Sequence, residues 1–393
     1  MSKSGRFQFI DFTRGVVMAI MAWDHVSGFW NRFHHGGEGV MGAKPAFLNL
    51  KWFLARMVSH YCAPTFVFLA GTVLAISTTR RTARGESQFN ISKRMVTRGI
   101  ILLLLMYFSV TPAFGGPSNY YFGVIACIGT CFILFSVARL LPRNVILGLS
   151  LFIVIFHPYL DLSFIPTQPD WGWYLRVIIH EPNHLRSPYT GLYPIIPWIG
   201  VMGLGWVFGL FLNGLEPEQV PELKTPLLKT GIASIFAFFL VRWNNGFGNL
   251  LLREGSQIID PNGNVWNIPK TTSELIIDWL YVSKYPPSVA FLLWTLGGMC
   301  LMMYIGLRLQ ESKGFKAGLT GVMLTFGRSP LFFYLAHLWL YKLRLPGTGR
   351  WPKVLPMFPT MVLWVVGLSV LWWLCDRYEK IKRKHPKSLL QYI

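Results

Sequence analysis

Apolar stretches of about 20 residues, the length a helix needs to cross a bilayer, recur along almost the whole chain. They run near 9–29, 54–77, 95–114, 121–141, 145–160, 193–214, 227–242, 286–307, 319–340 and 356–376. The fifth and seventh are the shortest. The expected fold is therefore an all-α, polytopic transmembrane bundle of about ten helices, forming one domain over residues 1–393. Composition excludes a string of soluble domains. Hydrophobic residues make up 52% and charged residues 14% of the chain, against roughly 25% charged in soluble proteins.

The charge that remains is lopsided, with 37 Lys and Arg against 17 Asp and Glu. Basic residues fall between the apolar runs rather than in one solvated block, so membrane lipid is the expected partner and nucleic acid is not. Loops rich in Lys and Arg stay on the cytoplasmic side. That rule puts both termini inside, with the loop holding Arg80, Arg81, Arg84, Lys93 and Arg94, the turn with Arg139 and Arg143, and the loop with Arg308, Lys313 and Lys316. The tail from Arg377 to Lys387 joins them, and a residue such as Lys382 reads as ordinary tail. The long loops at 30–53, 161–192 and 243–285 fall outside. The first apolar run contains Asp11, Arg14, Asp24 and His25, which suits an uncleaved functional helix and not a signal peptide.

Ionisable groups are costly in a bilayer, so where they stand points to function. Arg14 and His25 differ by only about 20° around a helix and by roughly 16 Å along it. Asp11 lies within about 60° of both, while Asp24 points elsewhere. One face of the first helix thus carries a carboxylate, a guanidinium and, further out, an imidazole, with Gly15, Met18 and Ala22 between. The bland alternative is that Asp11 and Arg14 pair at i,i+3 and only fix the helix. Arg56 and His60 open the second span, and the ninth holds Ser329, Pro330, Tyr334 and His337 near its outer end. His25, His60 and His337 are then expected at one depth, with His34 and His35 in the loop above. On the inner side Arg14, Arg94 and Arg98 could form a phosphate-binding mouth, or Arg94 and Arg98 could simply snorkel to anionic lipid.

His180-Glu181-Pro182-Asn183-His184 fits the zinc-protease spelling HExxH. Pro182 lacks the N–H that a helix interior requires, so a helix could begin only at about Glu181 and His180 would be left outside it. The segment reads instead as an outer loop in which His184 touches substrate. Cys62, Cys127, Cys131, Cys300 and Cys375 all fall inside apolar runs and read as packed hydrophobes, so no metal is expected.

Arg6-Phe7-Gln8-Phe9-Ile10-Asp11-Phe12-Thr13-Arg14-Gly15 resembles the D-x-x-R-G opening of the heparan-α-glucosaminide N-acetyltransferase family and its bacterial relatives. Ala63-Pro64-Thr65-Phe66-Val67-Phe68-Leu69-Ala70-Gly71, Tyr193-Pro194-Ile195-Ile196-Pro197-Trp198-Ile199-Gly200, and Gly327-Arg328-Ser329-Pro330-Leu331 through His337 resemble it too, in the expected order. The resemblance implies transfer of an acetyl group from cytosolic acetyl-CoA to a sugar or other hydroxyl or amine, on a glycan or lipid-linked acceptor, across the membrane. It makes the first-helix histidine, His25, one candidate base and a histidine of the first outer loop, at or beside His34 and His35, another. The lysosomal enzyme has asparagine where His25 stands, so the choice stays open. His337 completes the catalytic candidates. Arg56 and Tyr334 are candidate oxyanion donors, with His60 and His184 also on the substrate side, and Asp11, Arg14, Arg94 and Arg98 are expected to hold the coenzyme. A bacterial inner membrane suits the chain, and pairing with a second copy is compatible with it. The rivals are a proton-coupled transporter or flippase, using Asp11, Arg14 and His25 as a relay, and a non-catalytic scaffold.

Overall fold

The structure is a computed structural model. It describes residues 6–34, 50–114, 120–168, 170–181, 189–251, 258–259, 265–266, 271–343, 352–386, 388 and 390. In chain order the helices are α1 (Gln8–Trp30), α2 (Leu50–Met57), α3 (Cys62–Thr82), α4 (Gln88–Leu105), α5 (Thr111–Phe114), α6 (Val124–Ala138), α7 (Arg143–Phe156) and α8 (Asp170–Ile179). They continue as α9 (Ile195–Asn213), α10 (Lys224–Asn244), α11 (Thr272–Leu280), α12 (Val289–Gln310), α13 (Gly318–Arg328), α14 (Pro330–Tyr341) and α15 (Met357–Lys384). A short parallel pair of strands, β1 (Tyr120–Phe122) and β2 (Tyr189–Gly191), ties the loop before α6 to the loop before α9.

Each apolar stretch of the sequence is helical over most of its length. Six helical runs are long and apolar enough to cross a membrane: Leu50–Thr82, Gln88–Phe114, Ile195–Asn213, Pro217–Asn244, Val289–Gln310 and Met357–Lys384. Val124–Ala138 and Arg143–Tyr159 are apolar but shorter. The two remaining stretches depart from a plain spanning helix for separate reasons. α1 carries Asp11, Arg14 and Asp24, and it is buried on nearly every side, packed on α3, α12, α13, α14 and α15. The stretch expected at 319–340 is two helices, because Pro330 has no N–H to continue the ladder and Ser329 leaves helical geometry (φ −125°, ψ 52°).

Around this centre α3 pairs with α9, α4 with α6, α7 with α9 and α10 with α12. One apolar core surrounds α1 and α13–α15, with Val17, Met18, Phe29, Phe326 and Phe333 fully inside. A second joins α3, α6, α9 and α12 through Val67, Phe135, Trp198, Met202 and Phe291. The outward faces of α7, α10 and α15 are apolar as well, with Phe152, Phe236, Val362, Val366 and Trp373 exposed. A bundle that keeps its ionisable groups inside and turns hydrocarbon outward is matched to lipid.

Gly15 and Gly327 set the crossing of α1 with α13. A Cβ on Gly15 would stand 1.8 Å from the Met323 carbonyl oxygen, and one on Gly327 1.8 Å from that of Asp11. The two backbones therefore touch, as small residues allow between membrane helices. Arg14 uses the contact, donating from Nη1 to the Gly327 carbonyl at 3.0 Å.

Candidate active site

α1 and α14 bring two imidazoles together from opposite ends of the chain. His25 Nδ1 lies 2.6 Å from His337 Nε2, and the rings stack with centroids 4.9 Å apart. His337 is fully buried, and its Nδ1 lies 3.0 Å from the Phe333 carbonyl oxygen. A carbonyl only accepts, so Nδ1 of His337 carries a proton and, in the neutral ring, Nε2 carries the lone pair. His25 must then donate from Nδ1, which leaves its own Nε2 as the basic nitrogen. This is the relation by which one group fixes the tautomer of a catalytic histidine. Phe114 packs edge-on to His25 at 5.2 Å, and Tyr334 stands edge-on to both rings, 6.5 Å from His25 and 5.6 Å from His337.

Tyr334 also lines a cavity of about 340 Å³. Its walls include Met18, Phe66, Leu69 and Ile125, and its basic side chains are Arg6, Arg14, Arg98, Arg328 and Lys382. Arg6 and Arg14 share Asp11, Arg6 through a short pair and Arg14 at 3.5 Å. The i,i+3 pair expected as the bland reading is thus present, and Arg14 lines the cavity as well. Arg98 lies against the Phe132 ring at 5.3 Å.

The other expected residues are distributed differently. Arg94 does not line this cavity. Arg56 forms a close ion pair with Asp24 and lies 3.3 Å from Ser59 Oγ, so this guanidinium is committed between α1 and α2. His60 leans on Phe291 of α12, with centroids 5.6 Å apart, and does not stack in the pair. His34 lies 3.2 Å from Ser27 Oγ, beyond the pair along the chain. His35 and His184 lie outside the described residues. Lys382 is not mere tail, because α15 runs on to Lys384 and carries it to the cavity. His180 follows the last turn of α8, and its Nε2 is 3.1 Å from His157 Nδ1. Burial holds the His180 imidazole below its usual pKa. Among the described residues no group of His, Cys, Asp and Glu side chains is arranged to hold a metal ion.

Several residues were not among the site candidates of the sequence. Arg6 and Arg328 join the basic end of the cavity. Lys284 is 4% exposed and acts electrostatically on Asp24 and His25. Tyr193 and Tyr285 pack edge-on, with ring centroids 5.5 Å apart and 3.5 Å between their hydroxyls. A loop lysine and scattered tyrosines look like surface residues until tertiary packing encloses them.

The sequence model of the heparan-alpha-glucosaminide N-acetyltransferase catalytic domain matches residues 6–243. The chain belongs to that family. This heparan-alpha-glucosaminide N-acetyltransferase relative is accordingly an integral membrane protein and a membrane acetyltransferase. No curated protein matches the chain in a sequence search. The family match takes in His25, Arg14, Arg98 and three of the four resemblance motifs. It ends before Lys284, Arg328, Tyr334, His337 and Lys382, so the site is completed by segments beyond the matched region.

Proposed function

We propose that the protein takes an acetyl group from cytosolic acetyl-CoA and passes it to a hydroxyl or amine of a glycan or lipid-linked acceptor presented from the other side of the membrane. In this reading the chain crosses about ten times, with both ends in the cytoplasm of a bacterial cell and the bundle in its inner membrane. The observation that carries it is the position of Tyr334, which touches the His25–His337 pair and also lines the cavity that Arg6, Arg14, Arg98, Arg328 and Lys382 make basic. Guanidinium and ammonium groups at the cytosolic end suit the phosphates of coenzyme A. The apolar walls suit a slender, uncharged arm.

His25 acts as the base. Acyl transfer to an alcohol or amine requires removal of the acceptor proton, and an imidazole is poised for this near neutral pH. Nε2 takes that proton. Nδ1 stays bonded to His337, which holds the ring and shares the charge that develops on it. The Phe333 carbonyl in turn holds His337.

Membranes containing the protein, given acetyl-CoA labelled in the acetyl group, should pass label to an extractable glycan or lipid. His25→Ala should remove at least the hundredfold or so that a positioned base supplies, with insertion and thermal midpoint retained. Absence of transfer by the wild-type protein sinks the acetyl-transfer reading. Full transfer by His25→Ala removes His25 from it.

A further inference from the structure

The segment Tyr281–Ser288, between α11 and α12, is buried at every residue. It is pinned at several points. Ser283 Oγ donates to the Pro286 carbonyl at 2.8 Å, and Ser288 N–H donates to the Ser283 carbonyl at 3.0 Å. His157 donates from Nε2 to the Pro287 carbonyl at 3.0 Å, so its Nδ1 accepts from Nε2 of His180. A second histidine pair, far from the first in sequence, thus holds this segment against the ends of α7 and α8.

Lys284 is the charged residue of that segment. Its Nζ lies 5.2 Å from the centroid of the Tyr285 ring. Tyr281 of the same segment packs on Phe53 of α2, ring centroids 6.5 Å apart, and α2 carries the Arg56 that pairs with Asp24 next to His25. The segment therefore lies on the His25 side of the bundle, and Lys284 acts electrostatically on Asp24, His25 and Cys62. Among the described residues no side chain or carbonyl accepts a hydrogen bond from it, and no carboxylate lies within ion-pair distance. The nearby carboxylate, Asp24, is already taken by Arg56. Counting formal charges around His25, Asp24 and Arg56 cancel and Lys284 remains. A buried ammonium without an anion is costly unless one arrives.

Resting on the transfer reaction proposed above, we propose that Lys284 is a catalytic residue whose ammonium donates a hydrogen bond to the oxyanion of the tetrahedral intermediate. The acceptor oxygen or nitrogen gives its proton to His25 Nε2 and bonds to the thioester carbonyl carbon. The carbonyl π pair moves onto oxygen, and the Lys284 ammonium meets that negative charge. Collapse re-forms the C=O, breaks the C–S bond and expels coenzyme A thiolate, which recovers the proton from His25. Arg56, the guanidinium at a similar level of the bundle, is neutralised by Asp24 and cannot serve as freely. A positive charge fixed in advance where negative charge develops is the arrangement that stabilises an oxyanion.

The test is steady-state kinetics of purified protein, following release of coenzyme A from acetyl-CoA with glucosamine or water as acceptor. Lys284→Met should lower kcat by about 10²–10³-fold, with the KM values for acetyl-CoA and glucosamine little changed. Lys284→Arg keeps the charge and should retain at least roughly tenfold more activity than Lys284→Met at the same thermal midpoint. Unchanged kcat in Lys284→Met overturns the assignment. A rise in the glucosamine KM alone also overturns it, by moving Lys284 to acceptor recognition. Equal activities of the two variants, at whatever level, overturn it as well. Wild-type protein that releases no coenzyme A would instead refute the transfer reaction itself.

Discussion

The five basic residues along the cavity are not equivalent, because their charges meet different neighbours. Arg14 is held by Asp11 and the Gly327 carbonyl, Arg328 reaches toward Glu379 at 3.9 Å, and Arg98 lies on an aromatic face. Charge-assisted hydrogen bonds to phosphate are worth about 1.5–3 kcal/mol, so Arg14→Gln or Arg98→Gln should weaken coenzyme A binding by roughly tenfold or more. Lys384→Gln, on the exposed end of α15, should leave it unchanged. Isothermal titration decides this, and equal affinities in all three variants would remove the basic residues from coenzyme recognition. Helix periodicity made Arg14 and His25 legible, because both project from one face of a single helix. It could not show that Arg56 is claimed by Asp24 across 32 residues, since that pairing depends on how α2 docks. Nor could it find Lys284, whose loop carries no period and whose burial comes entirely from packing.

Elements explain a different set of successes and misses. The apolar stretches located the helices because hydrocarbon length is a local property, but their ends followed other rules. α15 outlasts its apolar run to reach Lys384, carried by the i,i+4 pairs Asp376–Lys380 and Glu379–Arg383. Hydropathy stops where those charges begin, which is why Lys382 read as tail. The stretch at 319–340 stayed apolar through Ser329 and Pro330, so its pattern concealed a break that proline alone could have signalled. The crossing of α1 and α13 gives a direct check on packing. Gly327→Ala would press a methyl group into the Asp11 carbonyl, and overpacking of this kind costs about 1–3 kcal/mol. The thermal midpoint of the detergent-solubilised protein should fall by about 2 °C or more. Gly148→Ala, where a Cβ meets nothing within 4 Å, should not lower it. Equal midpoints would mean that the two backbones are not in contact.

For the whole molecule the decisive quantity is sidedness. α3 starts beside the His25 end of α1, where Arg56 meets Asp24, and runs back toward Arg84. Phe164, which is exposed, belongs to the loop joining α7 to α8 at the other end of the bundle. With the five native cysteines replaced, Arg84→Cys and Phe164→Cys should react with an impermeant thiol reagent from opposite sides of sealed vesicles. Labelling from one side would end any scheme in which donor and acceptor meet from two compartments. The packing of α1 also bears on how such a chain is made. Its partners α12–α15 are synthesised last, and the contact of Arg14 with Gly327 spans 313 residues. At about 5–20 residues per second a ribosome needs roughly 15–60 s to cover that distance. During this interval the first helix waits in lipid carrying two acids and a guanidinium. Asp11 and Arg14 neutralise each other within the helix from the moment it forms, and Asp24 acquires Arg56 as soon as the second hydrophobic segment follows. His25, which can wait uncharged, meets its partner His337 from the far end of the chain.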